Sequence, residues 1–468
     1  MKFAVWMWLT SAIVLVPMIA AADLDLTDDG QKVAVEQPSP MPQQPDEDAR
    51  ELTVADAVEL ARENSHDIRI GEVDVERAEL ATREAWMGRL PELTLEGQYI
   101  NNFLLPVMVL PEDSPFGEQI LETGTQHNFD ASVQASVPLY NAQLNRNIEL
   151  SRIAEQLEET LQEATVREIE IEVQRAYLNG LIARENMEVL RESQQTLQQN
   201  LQLVEAMYEQ DAAPEYDLIR TEVQVANMEP ELTAAANNYE GALNYLKLLT
   251  GIPIEQAVEL QVGLEEYFES LPRLDMEARF DDNRQMLEIE GQQRIAAQQV
   301  DVERGAYLPT LSAFGNYSYQ GQGDDLSFWD YEWVDTASVG VALSIPLFSP
   351  GRRQRVDQAN ADLRRAQIQK ELVRESLHSE FVTTSNRIDE LEQTIAAQQR
   401  NIEQAERGFE IAQVSYEEGA YSLMDVNDAE EALTEARLNH ANVLGDYIGA
   451  VLDLEELIGT SVTATEHQ

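Results

Sequence analysis

Val137-Pro138-Leu139-Tyr140 ends a stretch of alternating apolar and polar residues and begins a long helical pattern. The same change of period recurs at Ile345-Pro346-Leu347-Phe348, 208 residues later (345 − 137 = 208). At that spacing the sequence also repeats single residues: Tyr208 and Tyr416, Asp217 and Asp425, Glu222 and Glu430, Gly251 and Gly459. Because a repeat of this length is an architectural unit, the chain is predicted to contain two copies of one structural unit.

Each copy contains two segments in which apolar and polar residues alternate. In the second segment of the first copy, one face carries only apolar residues: Phe129, Ala131, Val133, Ala135 and Val137. We predict strands at about 92–102 and 128–139 in the first copy, and at about 310–320 and 335–347 in the second. These lengths are close to the roughly 9 to 11 residues that a tilted strand needs to cross a lipid bilayer.

Long helices follow the strands in both copies. No proline interrupts the chain from Asn141 to Pro214, and we predict a helix over about 142–208, on the order of 100 Å long. The second long helix is predicted to begin at Ser349-Pro350 and to end near Tyr416. In each copy the helix before the strands and the helix after the long one are each about half its length, so that stacked end to end they line it.

The two copies are predicted at 51–252 and 279–459, with an inter-repeat linker at 253–278 and a short polar tail at 460–468. Residues 1–22 have the basic start, apolar run and small cleavage residues of a signal peptide. A transmembrane anchor is the alternative, but Pro17 shortens the apolar run below the roughly 20 residues that span a membrane. Residues 23–50 are rich in acids and proline and predict a flexible leader.

The composition excludes several classes of function. The chain has no cysteine, so disulfides, thiolate metal sites and cysteine nucleophiles are excluded. A net charge of −54 argues against nucleic-acid binding, which needs basic surface. The histidines are scattered without metal-ligand spacing, and no phosphate loop or nucleophile motif occurs. We therefore predict that the protein is not an enzyme and needs no cofactor.

Four membrane-length strands are too few for a closed transmembrane barrel, because the smallest such barrels have about eight. Several chains must therefore share one barrel, and periodicity leaves open whether two, three or four do so. The helices would continue the barrel as a tube around a water-filled lumen, which the acidic composition makes favourable for cations. The competing hypothesis is a periplasmic coiled-coil structural or adaptor protein, which would explain the helices but not strands with an apolar face.

Several motifs resemble those of one known family: Leu52-Thr53-Val54-Ala55-Asp56-Ala57, Asn64-Ser65-His66-Asp67-Ile68, Leu90-Pro91-Glu92-Leu93, the two Pro-Leu-aromatic junctions and Tyr416-Glu417-Glu418-Gly419. From about Leu52 to Gly459 the chain resembles the TolC family of outer-membrane efflux proteins. The resemblance implies a mainly helical homotrimer, in which a shared twelve-stranded membrane β-barrel with four strands per chain continues as a long periplasmic α-helical barrel. It also implies contact with outer-membrane lipid and docking to a periplasmic adaptor protein and an inner-membrane transporter.

The resemblance assigns the pore constriction to Asp425 and Asp428, which lie three residues apart and therefore on one helix face. Three chains would place six carboxylates around one opening, where like charges raise some of the carboxyl pKa values. A capping role is the alternative for Asp425, because Ser422 and Asp425 form a Ser-x-x-Asp pattern.

Closure of the tip is assigned by the resemblance to Asp217 and Tyr416. Tyr421 stands where the family's best-known member has an arginine, and Tyr216 and Tyr421 are predicted to replace it by hydrogen bonding or packing. Simple tip packing is the alternative for these residues. The turn residues predicted to dock the adaptor are Asp211, Ala212, Ala213, Gly419 and Ala420. The aromatic residues predicted for the membrane interface are Tyr317, Tyr319, Trp329 and Trp333.

Overall fold

The computed structural model describes residues 50–110, 119–271 and 277–459. The predicted signal peptide at 1–22, the leader apart from Arg50, and the tail at 460–468 lie outside the described residues. The α-helices are α1 Val54–Asn64, α2 His66–Met87, α3 Ala142–Glu209, α4 Glu215–Thr250, α5 Leu264–Ser270, α6 Arg284–Gly305, α7 Arg352–Glu417 and α8 Leu423–Ile458. The strands are β1 Arg50–Leu52, β2 Glu92–Asn101, β3 Val107–Leu110, β4 Gln119–Glu122, β5 His127–Asn141, β6 Val258–Leu260, β7 Thr310–Gly323 and β8 Glu332–Ser344.

The strands predicted to cross the membrane form one antiparallel sheet in the order β2-β5-β7-β8. Among the described residues, the edge strands β2 and β8 each have one side without a strand partner. β5 and β7 are longer than predicted, whereas β8 begins and ends three residues before its predicted range of 335–347. β8 stops at Ser344 because Pro346 lacks the N–H that would extend the ladder.

The sheet has two chemically different faces. One row of cross-strand neighbours is apolar and consists of Leu95, Val133, Tyr317 and Ala337. The next row, one residue closer to the helices, is polar and consists of Thr94, Gln134, Asn316 and Ser338. Successive side chains of a strand point to opposite faces, so these two rows belong to an apolar face and a polar face.

The junction at the end of β5 is a bulge. The pairing of β5 with β7 shifts between Pro138 and Tyr140, because a proline supplies no N–H to the ladder. The strand continues to Asn141, whose side chain accepts a hydrogen bond from an amide of the first turn of α3 at 3.1 Å and caps that helix. In the second copy the predicted start at Ser349-Pro350 is wrong: these residues form a turn, in which the Arg352 N–H donates to the Ser349 carbonyl at 3.2 Å, and α7 begins after it.

The helices are arranged in columns. The long helix α3 packs against α2 and α4 and also against α6 and α8, while the long helix α7 packs against α6 and α8. The helices therefore form four neighbouring columns in space: α2 with α4, then α3, then α6 with α8, and then α7. Each long helix is one unbroken column of 68 or 66 residues, and each of the other columns is divided into shorter helices.

The divided columns are joined in the same way in both copies. α4 ends at Gly251 with φ of 72° and α8 ends at Gly459 with φ of 70°, a conformation that glycine adopts without steric cost. Close approach also requires glycine, since a Cβ on Gly251 would lie 2.6 Å from the Cβ of Asn64. The side-chain amides of Asn64 and Asn283 donate to carbonyls in the last turns of α4 and α8, at 3.4 and 3.2 Å.

An equatorial belt, formed by β1, β6 and α5, covers the middle of α3 and α8 and was not predicted from the sequence. β1 and β6 pair in parallel, and the fully buried Tyr177 donates its hydroxyl to the Leu52 carbonyl at 3.0 Å. Arg184 donates to two carbonyls at the end of β6, each at 2.6 Å. The predicted linker at 253–278 therefore contains β6 and α5, and Arg50, predicted for the leader, belongs to β1.

Candidate functional site

The turns at the tip have the same backbone geometry in both copies. Asp211 has φ of 55° and Gly419 has φ of 75°, at equivalent positions of the repeat. The Ala212 and Ala420 N–H groups each donate to a carbonyl five residues earlier at 2.8 Å. The first turn therefore keeps the left-handed conformation although an aspartate replaces the glycine, and aspartate tolerates this conformation better than most residues.

Asp425 forms a capping box at the start of α8. Its Oδ2 accepts hydrogen bonds from the Ser422 N–H at 2.8 Å and from the Ser422 hydroxyl at 2.7 Å. These bonds hold the pKa of the Asp425 carboxyl below its ordinary value. Asp428 is exposed one turn further along the same face. The structure thus gives Asp425 a capping role and leaves both carboxylates on the exposed surface of one helix.

Tyr416 lies in a small tip core within a single chain. Its side chain is only 8% exposed and packs in a cluster with Val204, Leu423 and Val426. Burial raises the pKa of the Tyr416 hydroxyl, and the negative charge of Asp217 raises it further. The structure therefore brings Tyr416 close to Asp217, as parts of the packing between helices of the same chain.

The remaining predicted tip residues differ in exposure. Tyr216 is 70% exposed and Tyr421 is 48% exposed, so both are available for contacts outside the core of the tip. Asp211, Ala212, Gly419 and Ala420 are also exposed. Ala213 is buried, which removes it from the surface that a docking partner would contact.

A buried polar layer near the tip was missed by sequence reasoning. Glu430 is 7% exposed and accepts hydrogen bonds from the hydroxyls of Ser193 and Thr434, the latter at 3.0 Å. Nearby, Asn427 is buried and donates to the Gln224 side chain at 2.7 Å. Burial raises the pKa of the Glu430 carboxyl, against the opposing effect of the two hydroxyls. The sequence carries a signal only in hindsight, because Glu430 is one acid among many in these helices.

A cavity of ≈ 670 Å³ lies at mid-height between α2, α3, α4, α6 and α8. The acidic residues that line it are Asp67, Asp74, Glu168, Glu172 and Glu456. Arg175 approaches Asp453 at 2.6 Å and Glu456 at 3.0 Å. Arg175 and Tyr177 are two residues apart and so about 200° apart around α3, which puts the cavity on the side of α3 away from the equatorial belt.

Aromatic side chains form a row across one end of the apolar face. The rings of Tyr319 and Trp333, two residues predicted at the membrane interface, stack at 4.9 Å. Phe129 lies 6.5 Å from Trp333 and 4.6 Å from Tyr99. Phe129 and Tyr99 were not among the aromatic residues predicted for the membrane interface. Tyr317 lies on the same face as Tyr319, two residues along β7, and Trp329 is 84% exposed outside the sheet.

Within residues 50–110, 119–271 and 277–459, no group of three or more histidine, cysteine, aspartate or glutamate side chains is arranged to hold a metal ion. No helix in the same ranges is long and apolar enough to cross a membrane.

Comparison with known families matches both copies of the repeat. The family model described as outer membrane efflux protein matches residues 57–252 and 280–460. The outer membrane protein TolC of Vibrio cholerae serotype O1 is 23% identical over 302 residues, which cover 64% of this chain and 69% of that protein. The outer membrane protein TolC of Escherichia coli (strain K12) is 24% identical over 352 residues, covering 70% of this chain and 69% of that protein.

Solved structures share the fold. A crystal structure of CusC superposes with a TM-score of 0.69 at 19% identity, covering 87% of this chain and 92% of that chain. The CmeC outer membrane channel of Campylobacter jejuni superposes with a TM-score of 0.65 at 19% identity, covering 87% of this chain and 85% of that chain. The helical columns and the sheet are therefore the architecture of these channels.

Proposed function

The chain belongs to the outer membrane efflux protein family, as a TolC-like outer membrane factor, and from this membership we propose that it conducts substrates across the outer membrane as a passive channel-tunnel. The protein is located in the outer membrane and has a periplasmic helical tunnel. In this proposal an inner-membrane transporter passes its substrate through a periplasmic adaptor protein to a gated tip.

The observation that carries the proposal is the two-faced sheet attached to helical columns. On its apolar face Leu95 is 77% exposed, Val339 is 91% exposed and Leu343 is 62% exposed, so this face needs lipid to cover it. In lipid, backbone N–H and C=O groups on the strand edges must also be paired. Pairing β8 of one chain with β2 of the next pairs both edges, and three chains then form one twelve-stranded barrel.

Exposed apolar stripes on the outer columns support assembly of several chains. Val73 on α2 is 63% exposed and Ile368 on α7 is 66% exposed. α2 ends at the sheet at Met87 and α7 begins below the sheet at Arg352, so Val73 and Ile368 lie 14 and 16 residues from it (87 − 73 and 368 − 352). At 1.5 Å per residue both are roughly 21–24 Å from the sheet, the same height in adjacent copies.

The charges on the same two helices are complementary. Residues 352–374 of α7 carry seven basic and three acidic side chains, a net charge of +4, in a chain whose total is −54. α2 carries six acidic and three basic side chains, a net charge of −3. Arg374 and Asp67 lie 22 and 20 residues from the same ends and so are at similar heights on the two helices. This pairing supports a ring in which α7 of one copy contacts α2 of the next.

The tip is proposed as the gate and the docking site. In a homotrimer Asp425 and Asp428 contribute six carboxylates to one constriction, which attracts cations. Tyr216 and Tyr421, together with the Tyr416 and Asp217 pair, belong to the contacts that close it. The exposed turn residues Asp211, Ala212, Gly419 and Ala420 are the proposed adaptor contacts.

Fractionation and conductance test the proposal. We expect detergent, but not salt, to release the protein from outer membranes as a heat-sensitive oligomer. In planar bilayers that oligomer should form discrete channels that prefer cations. Release by salt without channel activity would instead support the periplasmic structural protein.

A further inference from the structure

The lower half of α8 is held by two apolar regions with the buried polar layer between them. Leu423 and Val426 pack in the tip core, and from Ala441 upward α8 packs in the larger core with Leu444 and Ile448. Between these regions its contacts with α3 and α4 include the hydrogen bonds of Glu430 and Asn427. Glu430 is seven residues from Leu423, or roughly 10 Å from the start of the helix.

Polar contacts replace part of the apolar packing in this layer. The Oδ1 atom of Asn427 and the Nδ2 atom of Asn200 are buried without a hydrogen-bond partner among the described residues. A buried polar atom without a partner costs free energy that a packed apolar side chain does not. Contact between α8 and α3 at this height therefore depends on polar groups rather than on apolar packing alone.

Glu430 is the ionisable group of the layer. It accepts from Ser193, which is itself only 5% exposed on α3, and from Thr434 one turn further along α8. Both donors are neutral, so among the residues that the structure describes an ionised Glu430 is buried with two hydroxyl bonds and without a cation as hydrogen-bond donor. The raised pKa of its carboxyl agrees with this geometry.

The charged groups around the layer do not stabilise an ionised Glu430. On α8 itself the neighbour is Glu431, whose charge acts against ionisation of Glu430. On α3 and α7 the facing acids are Glu192 and Glu406, and Arg437 binds both, at 2.7 and 2.9 Å. On α4 the layer is contacted by Gln224, and the exposed Glu222 lies about 200° around that helix from it.

We propose that Glu430 is a proton-sensitive contact that regulates the tip: with a neutral carboxyl it holds α8 against α3, and when ionised it releases α8 to move. This inference rests on the proposed gated channel and assigns regulation to that gate. A group whose pKa is raised in the packed state stabilises that state at low pH and loses the stabilisation as pH rises through the raised pKa. Acid should therefore close the tip, and the transition should lie above the ordinary glutamate pKa.

Two measurements on the full-length oligomer test the proposal. The first is single-channel conductance against pH in planar bilayers, which we expect to rise with pH in the wild type. The second is amide hydrogen exchange over 423–434, which we expect to become faster with pH beyond the intrinsic rate. Glu430→Gln keeps an acceptor for both hydroxyls and cannot ionise, so the pH dependence of exchange should be lost and the conductance should keep only the pH dependence of the Asp425 and Asp428 ring. The matched control is Glu431→Gln at the exposed neighbouring position, which should retain both transitions, moved to lower pH because the charge of Glu431 opposes ionisation of Glu430.

Ser193→Ala provides a second variant. It removes a donor that favours the ionised form, so both transitions should shift to higher pH. A Glu430→Gln variant with wild-type pH profiles in both measurements would overturn the inference. If the protein forms no channel but Glu430→Gln still abolishes the pH dependence of exchange, the proton-sensitive contact stands and the proposed function fails.

Discussion

The two acids proposed for the constriction differ in one testable respect. Replacing Asp425 with alanine removes a carboxylate and also both hydrogen bonds to Ser422, at 2.8 and 2.7 Å. The Ser422 N–H then loses its acceptor, so the first turn of α8 should open more often than in the wild type. Replacing Asp428 removes only an exposed carboxylate, so Asp428→Ala is the matched control.

Hydrogen exchange and cation block separate the two roles. We expect exchange of the first-turn amides of α8 to be faster in Asp425→Ala and unchanged in Asp428→Ala. Both variants should need a higher concentration of a multivalent cation for half-block of the channel, because each ring loses half of its carboxylates. Equal exchange in the two variants would refute the capping argument, and unchanged block in both would refute the ring.

The cap also has a defined pH dependence. The pKa of Asp425 is lowered from its ordinary value of 3.8 by the Ser422 hydrogen bonds. A group with a depressed pKa in the folded state contributes stability above its ordinary pKa and loses it as pH falls through the depressed value. First-turn protection in the wild type should therefore be constant at neutral pH and decrease below about pH 4, in the opposite direction to the effect of Glu430.

Further predictions concern the seam and the first turn. Arg374→Glu should slightly lower the temperature at which the oligomer dissociates on native gels, because an exposed pair contributes roughly 0.2–1 kcal/mol. Adding Asp67→Arg to the same chain should restore that temperature. A double variant whose dissociation temperature falls by the sum of the two single decreases would contradict the pairing. Asp211→Gly should slow protease cleavage in the first tip turn, because glycine removes a left-handed strain of about 1 kcal/mol, whereas Gly419→Ala should speed cleavage in the second. Cleavage rates that are the same in both variants as in the wild type would show that the backbone conformation of the turns does not limit local opening.

Much of the architecture follows from periodicity. The change of period after Val137 and Ile345 predicts the strands and the long helices, because an alternation of two and a period of 3.6 bury different sets of residues. The equatorial belt could not be predicted in this way. β1 and β6 are three residues each, too short to show a period, and they pair across about 200 residues of sequence.

The burial of individual polar side chains could not be predicted from the sequence either. Glu430 and Asp428 are both acids on α8, yet Glu430 is buried and Asp428 is exposed. Which of them is buried depends on how α8 is rotated against α3, and that rotation is set by contacts such as those of Leu423 and Val426 with Val204, which lies more than 200 residues earlier in the sequence. Tyr416 is a similar case, since the resemblance assigned it to closure and the structure gives it a packing role in its own chain.

The way the columns are divided has a mechanical consequence. The joints at Gly251 and Gly459 both lie beside an unbroken long helix. Each break in a divided column is therefore spanned by a continuous neighbouring helix. Bending at a joint would require the neighbouring long helix to bend as well, and the belt covers that height. The upper half of the tube is therefore stiff, and a load applied by a partner at the tip is transmitted along α3 and α7 to the sheet, while the helix ends near the tip remain the segments that can yield.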